Sequence, residues 1–311
     1  MSGIVGDNVD DGSGVIKASV GGATISASDP ATDTNATLGT QWANSTSGEY
    51  FVCTDATTDE NVWTNVGDGT GDIEPYSIGG TQYGYTSGGT NPSNVIEKFS
   101  FTSDGDASDV GDLTVARWGP AGQSSSTHGY SSGGYASGTN NEIDKFSFTS
   151  DGDATDVGDI TVSRAYVTGQ VSTTHGYTAG GYTSSNVIDK FSFSSDGDAS
   201  DVGDITVARY EAAGQSSSTH GYASGGNDGS ASDVIDKHSF SSDGDASDVG
   251  DITVARESNV GQSSTTYGYT SGGWTGSYSN VIDKFSFSSD GDASDVGDLT
   301  AGRYGEAGQQ Y

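Results

Sequence analysis

The stretch SDGDASDVGD, from Ser103 to Asp112, places four aspartates within ten residues. It returns unchanged from Ser195, Ser242 and Ser289, and from Ser150 with one Ser→Thr exchange. A stretch that occurs five times shows that the chain is built from internal repeats. The repeat length and the hydrophobic pattern inside each repeat therefore decide the fold class.

The repeat length indicates small β-sheets in series. Each repeat contains GYTSGG or a variant of it, and its first glycine falls at Gly84, Gly129, Gly176, Gly221 and Gly268, so the spacings are 45, 47, 45 and 47 residues. Propeller blades and two-helix solenoids both have periods of this size. Apolar and polar residues alternate at 188–193 and 205–207, between clusters of Gly, Asp and Ser. This alternation favours strands over helices.

We predict an all-β fold with four short strands in each repeat, at 214–219, 222–225, 187–192 and 205–208, where the last two ranges come from the preceding copy. Five such repeats would make five four-stranded blades. An open array leaves two exposed edges, whereas a closed ring removes most of them, so a five-bladed β-propeller is favoured over an open stack of sheets.

The predicted propeller occupies residues 73–311. Residues 1–72 are predicted to form a separate attachment arm and small β module, connected to the propeller by the Gly-rich stretch from Val66 to Asp72. Residues 1–14 are polar and Gly-rich, so we expect them to order only against a neighbouring protein or another copy of the chain. This expectation includes a homo-oligomer.

Composition and charge restrict the partners of the chain. Among 311 residues there are 49 Gly, 43 acidic and 11 basic residues, and the formal charge is −32. Regularly spaced aromatic residues argue against disorder. Because an acidic surface repels phosphates and anionic lipids, we expect no nucleic-acid partner and no membrane insertion. Cys53 is the single cysteine, which excludes an intrachain disulfide.

Ten of the eleven basic residues occupy two positions of the repeat, beside aspartates. They could form a ring for an anionic ligand, but we favour ion pairs at blade junctions, because an Arg fork pairs well with carboxylates. The ten residues are Lys98, Lys145, Lys190, Lys237, Lys284, Arg117, Arg164, Arg209, Arg256 and Arg303.

The repeated aspartates raise the question of calcium binding. Oxygen-bearing residues at positions 1, 3, 5 and 9 of the loop resemble the calcium loops of integrin-type propellers, although the Gly that follows position 5 there is absent. The favoured alternative is a turn held by local bonds from Asp side chains to the backbone. The candidate ligands are Asp104, Asp106, Ser108, Asp112, Asp151, Asp153, Asp159, Asp196, Asp198, Asp204, Asp243, Asp245, Asp251, Asp290, Asp292 and Asp298.

The repeat also resembles known families. Counted from Arg209, Tyr222 and the pair Gly225-Gly226 resemble the kelch repeat, although a valine replaces the Trp that kelch repeats carry later. The segments IDKFSF, DVGDLTVAR and AGQSSSTHGY are similar to Gly- and Asp-rich propeller repeats of virion proteins from aquatic bacteriophages. The stretch from Leu38 to Gly67 is similar to a small β module of phage fibre and tail proteins. These resemblances imply a virion surface protein, made in the host cytoplasm, whose N-terminal segment binds other virion proteins.

We predict that the chain is not an enzyme. Kelch-type propellers include a copper radical oxidase, but its cofactor needs a Cys cross-linked to a Tyr inside the propeller, and Cys53 lies in the N-terminal module. Glycoside hydrolysis needs two carboxylates in different environments, and acidic residues that repeat identically nominate no such pair.

Two loops of the repeat vary between copies, and both are expected on one face of a four-stranded blade. After the Gly pair stand Thr90, Tyr135, Tyr182, Asn227 and Trp274, and after the Arg stand Trp118, Ala165, Tyr210, Glu257 and Tyr304. Trp and Tyr beside polar residues suit a sugar ring, so we predict a host-surface glycan site. The alternatives are drift in exposed loops and a purely structural capsid or tail decoration protein. The candidate ligand-binding residues are Trp118, Tyr135, Tyr182, Tyr210, Trp274 and Tyr304.

Overall fold

The computed structural model describes residues 23–66, 82–89 and 91–305. In these ranges every regular element is a β-strand, and no helix long and apolar enough to cross a membrane is found there. The chain divides into two compact units, Met1–Tyr76 and Ser77–Tyr311. The predicted arm at 1–14 and the predicted boundary at residue 72 lie outside the described residues.

The first unit contains one four-stranded sheet, formed by β1 (Thr24–Ser26), β2 (Gln41–Asn44), β3 (Tyr50–Asp55) and β4 (Val62–Asn65). Strand β1 runs parallel to β2, and the other neighbours are antiparallel. Alternation along β3 turns Phe51 and Cys53 inward, where they pack with Trp63. The rings of Trp42 and Trp63 lie 5.9 Å apart. This sheet therefore has an apolar core of its own.

The second unit consists of five successive antiparallel sheets in the described residues, each built from strands that are neighbours in sequence. Sheet 1 contains β5 (Tyr83–Ser87), β6 (Ser93–Ser100) and β7 (Ser108–Arg117). Sheet 2 contains β8 (Ala121–Ser124), β9 (His128–Ser132), β10 (Glu142–Ser147) and β11 (Thr155–Asp159). Sheet 3 contains β12 (Thr168–Val171), β13 (His175–Ala179), β14 (Val187–Ser192) and β15 (Ser200–Asp204). Sheet 4 contains β16 (Ala213–Ser216), β17 (His220–Ser224), β18 (Val234–Ser239) and β19 (Ser247–Asp251). Sheet 5 contains β20 (Val260–Ser263), β21 (Tyr267–Ser271), β22 (Ser279–Ser286) and β23 (Ser294–Arg303).

The prediction of an all-β, propeller-like chain is confirmed, with four described strands in each of sheets 2 to 5 and three in sheet 1. The last strand of sheets 1 and 5 covers the predicted range, but in sheets 2, 3 and 4 the fourth strand was misplaced. It was predicted at 205–208, whereas β15 occupies Ser200–Asp204, inside the Asp-rich stretch. The reason is a contact with the next sheet: the amide and hydroxyl of Thr206 donate to the Asp236 carboxylate at 3.1 and 2.7 Å. An amide bound to a side chain cannot join a strand ladder. The Asp-rich stretch is therefore half turn and half strand.

The apolar core of the second unit lies between successive sheets. Between sheets 3 and 4, Tyr177, Ile188 and Ile205 pack against Phe240 and Ala246, and the Tyr177 and Phe240 rings stack at 4.8 Å. Equivalent residues pack between sheets 1 and 2, 2 and 3, and 4 and 5. We call each of these four contacts a joint. Burial of apolar surface in the joints, rather than within single sheets, stabilises the unit.

Each joint also contains a buried ion pair. Arg164 of sheet 2 donates to Asp189 of sheet 3 at 2.8 Å and to the Thr178 carbonyl at 2.8 Å, and both charged side chains are buried. Burial lowers the pKa of Arg164 and raises the pKa of Asp189, and the charge of each partner opposes the shift of the other. The predicted junction pairs are thus confirmed for four arginines. The other pairs are Arg117–Asp144, Arg209–Asp236 and Arg256–Asp283.

The described residues do not show the five sheets closed into a ring. A ring needs a fifth joint between sheets 5 and 1, and the four apolar clusters of the described repeats include none there. Ile282 of sheet 5 is partly exposed, whereas Ile235 at the same position of sheet 4 is fully buried. The closed ring remains a prediction.

Candidate functional site

The two variable loops meet through backbone hydrogen bonds. The amide of Trp118, which follows Arg117, donates to the Tyr135 carbonyl at 3.0 Å, and the Tyr135 amide donates back to the Trp118 carbonyl at 2.8 Å. The pairs Ala165–Tyr182, Tyr210–Asn227 and Glu257–Trp274 form the same bridge. The expectation that both loops share one face is confirmed for these described pairs.

The glycine pair makes this meeting sterically feasible. In sheet 3 the Gly181 amide donates to the Arg209 carbonyl at 2.9 Å. Gly180 has φ +60°, and a Cβ there would lie 2.5 Å from the same carbonyl oxygen. Only glycine fits this close approach of two backbones. A Cβ on Gly181 would lie 3.1 Å from the Ala165 carbonyl oxygen. The pair therefore lets the loop that carries Tyr182 approach both Arg209 and the loop that follows Arg164.

A chain of backbone bonds then links one loop to the next. The second residue after each arginine has positive φ. From the second copy onward, its amide donates to the carbonyl of its equivalent in the preceding copy, at 2.8 to 3.1 Å. Such φ values are uncommon outside glycine, so this row is fixed by the bonds across the loops. The row consists of Gly119, Tyr166, Glu211, Ser258 and Gly305.

Aromatic side chains from these loops form two groups. In the first aromatic group, comprising Trp118, Tyr135, Tyr166, Tyr182 and Tyr210, ring centroids lie 5.1 to 6.3 Å apart. In the second aromatic group, Trp274 and Tyr304 lie 6.0 Å apart, and both contact Tyr278. The structure thus brings together four of the six predicted residues in one group and two in the other.

Sequence reasoning missed two members of these groups. Tyr166 is the second residue after Arg164, whereas the prediction considered only the first residue after each arginine. Gly119 and Gly305 occupy the same position in other copies, and these glycines indicated that the backbone there is left-handed. Tyr278 lies within the longer loop of sheet 5, where it stacks on Tyr304 at 5.4 Å. Thr90, also named from the sequence, lies outside the described residues.

Exposure makes the aromatic rings available to a ligand. Tyr182, Tyr278 and Tyr304 are 48%, 59% and 53% exposed, and the other members of both groups are half-buried. Rings that pack against one another are held in place, while their exposed parts stay accessible. The two groups therefore form a preorganised surface, which we call the aromatic surface.

Polar side chains of the same loops lie between the first and the second aromatic group along the chain. The Asn227 amide donates to the Glu257 carboxylate, and the Ser258 hydroxyl donates to the Glu211 carboxylate. Burial raises the pKa of Glu211, the Ser258 bond opposes this shift, and the charge of Glu257 adds to it. Two carboxylates and an amide beside aromatic rings can accept and donate hydrogen bonds to several hydroxyl groups.

The Asp-rich loops have a different role, because they are parts of the joints. Asp196 at loop position 1 of sheet 3 binds Lys145 of sheet 2 at 2.5 Å. Asp198 at position 3 accepts the amide of Asp159 at 3.1 Å, and the Gly197 amide donates to the Val157 carbonyl at 2.8 Å. The same lysine pair is made by Lys98 with Asp151, Lys190 with Asp243 and Lys237 with Asp290.

A local bond of the kind expected for a turn joins the Gly203 amide to the Asp201 carboxylate at 3.1 Å. Positions 5 and 9, such as Ser200 and Asp204, lie in β15 rather than in the turn, and positions 1 and 3 bind a lysine and an amide of the preceding sheet. Among the residues that the structure describes, no group of three or more His, Cys, Asp or Glu could hold a metal ion. Calcium at the sixteen named residues stays a prediction.

Comparison with known proteins adds no assignment. No protein-family model matches the chain, and no curated protein sequence matches it significantly. The kelch and phage resemblances therefore rest on the repeat residues themselves.

Proposed function

We propose that the chain is a bacteriophage virion protein, a fibre or spike whose five sheets are consecutive propeller blades and whose aromatic surface binds host-surface glycan. One observation carries this proposal: the loops that differ between repeats meet on one surface and place eight aromatic rings there. The residues that repeat identically, by contrast, are occupied in joints.

The chemistry of the aromatic surface suits sugars. A pyranose ring offers an apolar face for stacking and hydroxyl groups at its edge, and the surface offers both kinds of partner. The rings are exposed or half-buried, which favours a shallow site of low affinity. Many copies on one virion would raise the overall avidity without any new contact.

The proposal is tested with a triple variant, Trp118→Ala, Tyr210→Ala and Trp274→Ala, which truncates both aromatic groups. We expect adsorption of the purified chain to host cells to be lost. The matched control truncates three exposed apolar side chains outside the surface, Val162→Ala, Val207→Ala and Val254→Ala, and should adsorb like wild type. Adsorption of the aromatic variant equal to wild type would leave the decoration alternative.

The attachment role is assigned to the N-terminal unit. Its sheet has its own core of Phe51, Cys53 and Trp63, as expected of a module that folds apart from the repeats. A chain lacking residues 1–72 should fail to join virions while its repeats still unfold cooperatively. Incorporation at normal copy number would remove the attachment role and leave glycan binding to be judged separately.

A further inference from the structure

Each joint has two complementary halves. The acceptor half of one sheet supplies a Tyr, two aliphatic residues and a Lys, as Tyr177 and Lys190 do in sheet 3. The insert half of the next sheet supplies two aromatic residues and the Asp-Gly-Asp-Ala turn, as Phe240 and Asp243 do in sheet 4. Because the joint occurs four times, it shows which surface an acceptor half binds.

Sheet 5 carries an acceptor half with no insert among the described residues. Ile282 and Leu299 are partly exposed, although the equivalent residues of the other sheets are buried. Lys284 lies over the Tyr267 ring at 4.7 Å, as Lys98 lies over the Tyr83 ring at 5.0 Å. Lys98 also binds Asp151 of the next sheet, whereas Lys284 has no aspartate partner among the described residues. A Cβ on Gly297 would meet no described atom within 4 Å, whereas a Cβ on Gly250 would collide with the next sheet.

Sheet 1 carries the matching insert half with no acceptor in the described part of the chain. Phe99 and Phe101 pack edge to face at 5.6 Å, as Phe146 and Phe148 of sheet 2 do at 5.9 Å. Phe101 is nevertheless 44% exposed. The turn that follows has the sequence Asp104-Gly-Asp-Ala, identical to the turns inside the four joints.

We infer that the acceptor half of sheet 5 binds the insert half of sheet 1 from a second copy of the chain, in the register of the internal joints. In the described residues of this unit the two halves do not meet, and a second copy can supply the same insert half without closure of a ring. Such a contact joins different surfaces of the two copies, so it produces head-to-tail assemblies. The inference does not depend on glycan binding.

The proposed contact predicts how association of the chain should depend on salt concentration. Lys284 would bind Asp104 of the second copy, as each internal Lys binds the next turn. Two copies that each carry a formal charge of −32 repel one another at long range. Salt screens this repulsion and leaves the apolar contact intact. Association should therefore strengthen as ionic strength rises from low values.

The deciding experiment uses a zero-length carbodiimide cross-linker on a mixture of ¹⁴N- and ¹⁵N-labelled full-length chains. It couples a lysine to a carboxylate that touches it, so the internal pair Lys145–Asp196 should give peptides of one isotope only. We expect Lys284–Asp104 peptides with one light and one heavy half. If all Lys284–Asp104 peptides carried a single isotope, the contact would close within one chain. If the cross-link were absent, the halves would not meet, and either result overturns the inference.

A steric variant tests the same contact in solution. Gly297→Ala places a methyl group where the insert half would lie, and Gly197→Ala has the same φ, +151° against +153°, with no atom near its Cβ. By sedimentation, Gly297→Ala should weaken association by at least about tenfold, whereas Gly197→Ala should associate like wild type. Equal association of both variants would contradict the inference.

Discussion

The joints and the aromatic surface are built from adjacent residues of the same repeat, yet they differ in how much they vary. Arg164 and Arg209 are both buried against an aspartate of the next sheet, and the residues that follow them are Ala165 and Tyr210. A side chain that has a partner in the next sheet is fixed by the joint. The residue one position later has no partner of this kind to keep, so it can differ between repeats and can be selected for contact with a ligand.

The largest effect should come from breaking a joint at its buried charge. Asp189→Asn leaves Arg164 buried without its counter-ion, which should lower the free energy of unfolding by about 3–5 kcal/mol. Asp196→Asn, in the more exposed pair with Lys145, should cost no more than about 1 kcal/mol. Denaturant titration of both variants measures the difference, and equal losses would contradict the role given to the joints.

His238 is the one titratable residue at a joint position where the other sheets have Phe. It therefore allows one joint to be tested by a change of pH. Its ring is buried 5.3 Å from the Tyr177 ring, and burial lowers the pKa of His238 to about 4. In the unfolded chain the His238 imidazole takes up a proton near pH 6.5, whereas in the folded chain it stays neutral until about pH 4. The free energy of unfolding is therefore highest above pH 6.5 and decreases as the pH falls towards 4.

The change from pH 7 to pH 4.5 should therefore destabilise wild type by about 2–3 kcal/mol more than His238→Phe, as measured by unfolding at both values. The variant keeps every other titrating group, so the difference isolates this imidazole. An equal pH dependence in both proteins would show that His238 is not held neutral in the joint.

A smaller effect should follow from the close contact of two glycines across one joint. Gly203 and Gly244 have φ of +150° and +154°, but only a Cβ on Gly203 would collide, with the Gly244 carbonyl. Gly203→Ala should therefore be less stable than Gly244→Ala by about 1–3 kcal/mol in denaturant. Equal stabilities would mean that the sheets can separate here at no cost.

Parts of this architecture could be predicted from sequence because they depend on neighbouring residues. Alternation placed the third strand of sheet 3 at 187–192, where β14 lies, and the periodic arginines indicated the junction pairs. The fourth strand was misplaced because Thr206 binds Asp236, thirty residues away and in another sheet. Ring closure depends on the rotation between sheets, which no local pattern encodes.

Of the candidate site, sequence variation located the two loops and six aromatic residues. It missed Tyr166 because that residue is placed by a backbone bond to Gly119 from the preceding loop. The spacing of the aspartates left calcium and a turn as alternatives, and it did not show the pair of Asp196 with Lys145. The partner of a repeated side chain lies in a neighbouring repeat, and one repeat read alone does not show it.

We propose that the joints hold the fold and that the aromatic surface binds glycan. The most direct test is the binding of the full-length chain to an array of bacterial surface glycans. Wild type and the Val162→Ala, Val207→Ala, Val254→Ala control should bind the same glycans. The Trp118→Ala, Tyr210→Ala, Trp274→Ala variant should bind none, while its joints keep the fold. Undiminished glycan binding by this variant, or no binding by wild type, would contradict the assignment of the aromatic surface.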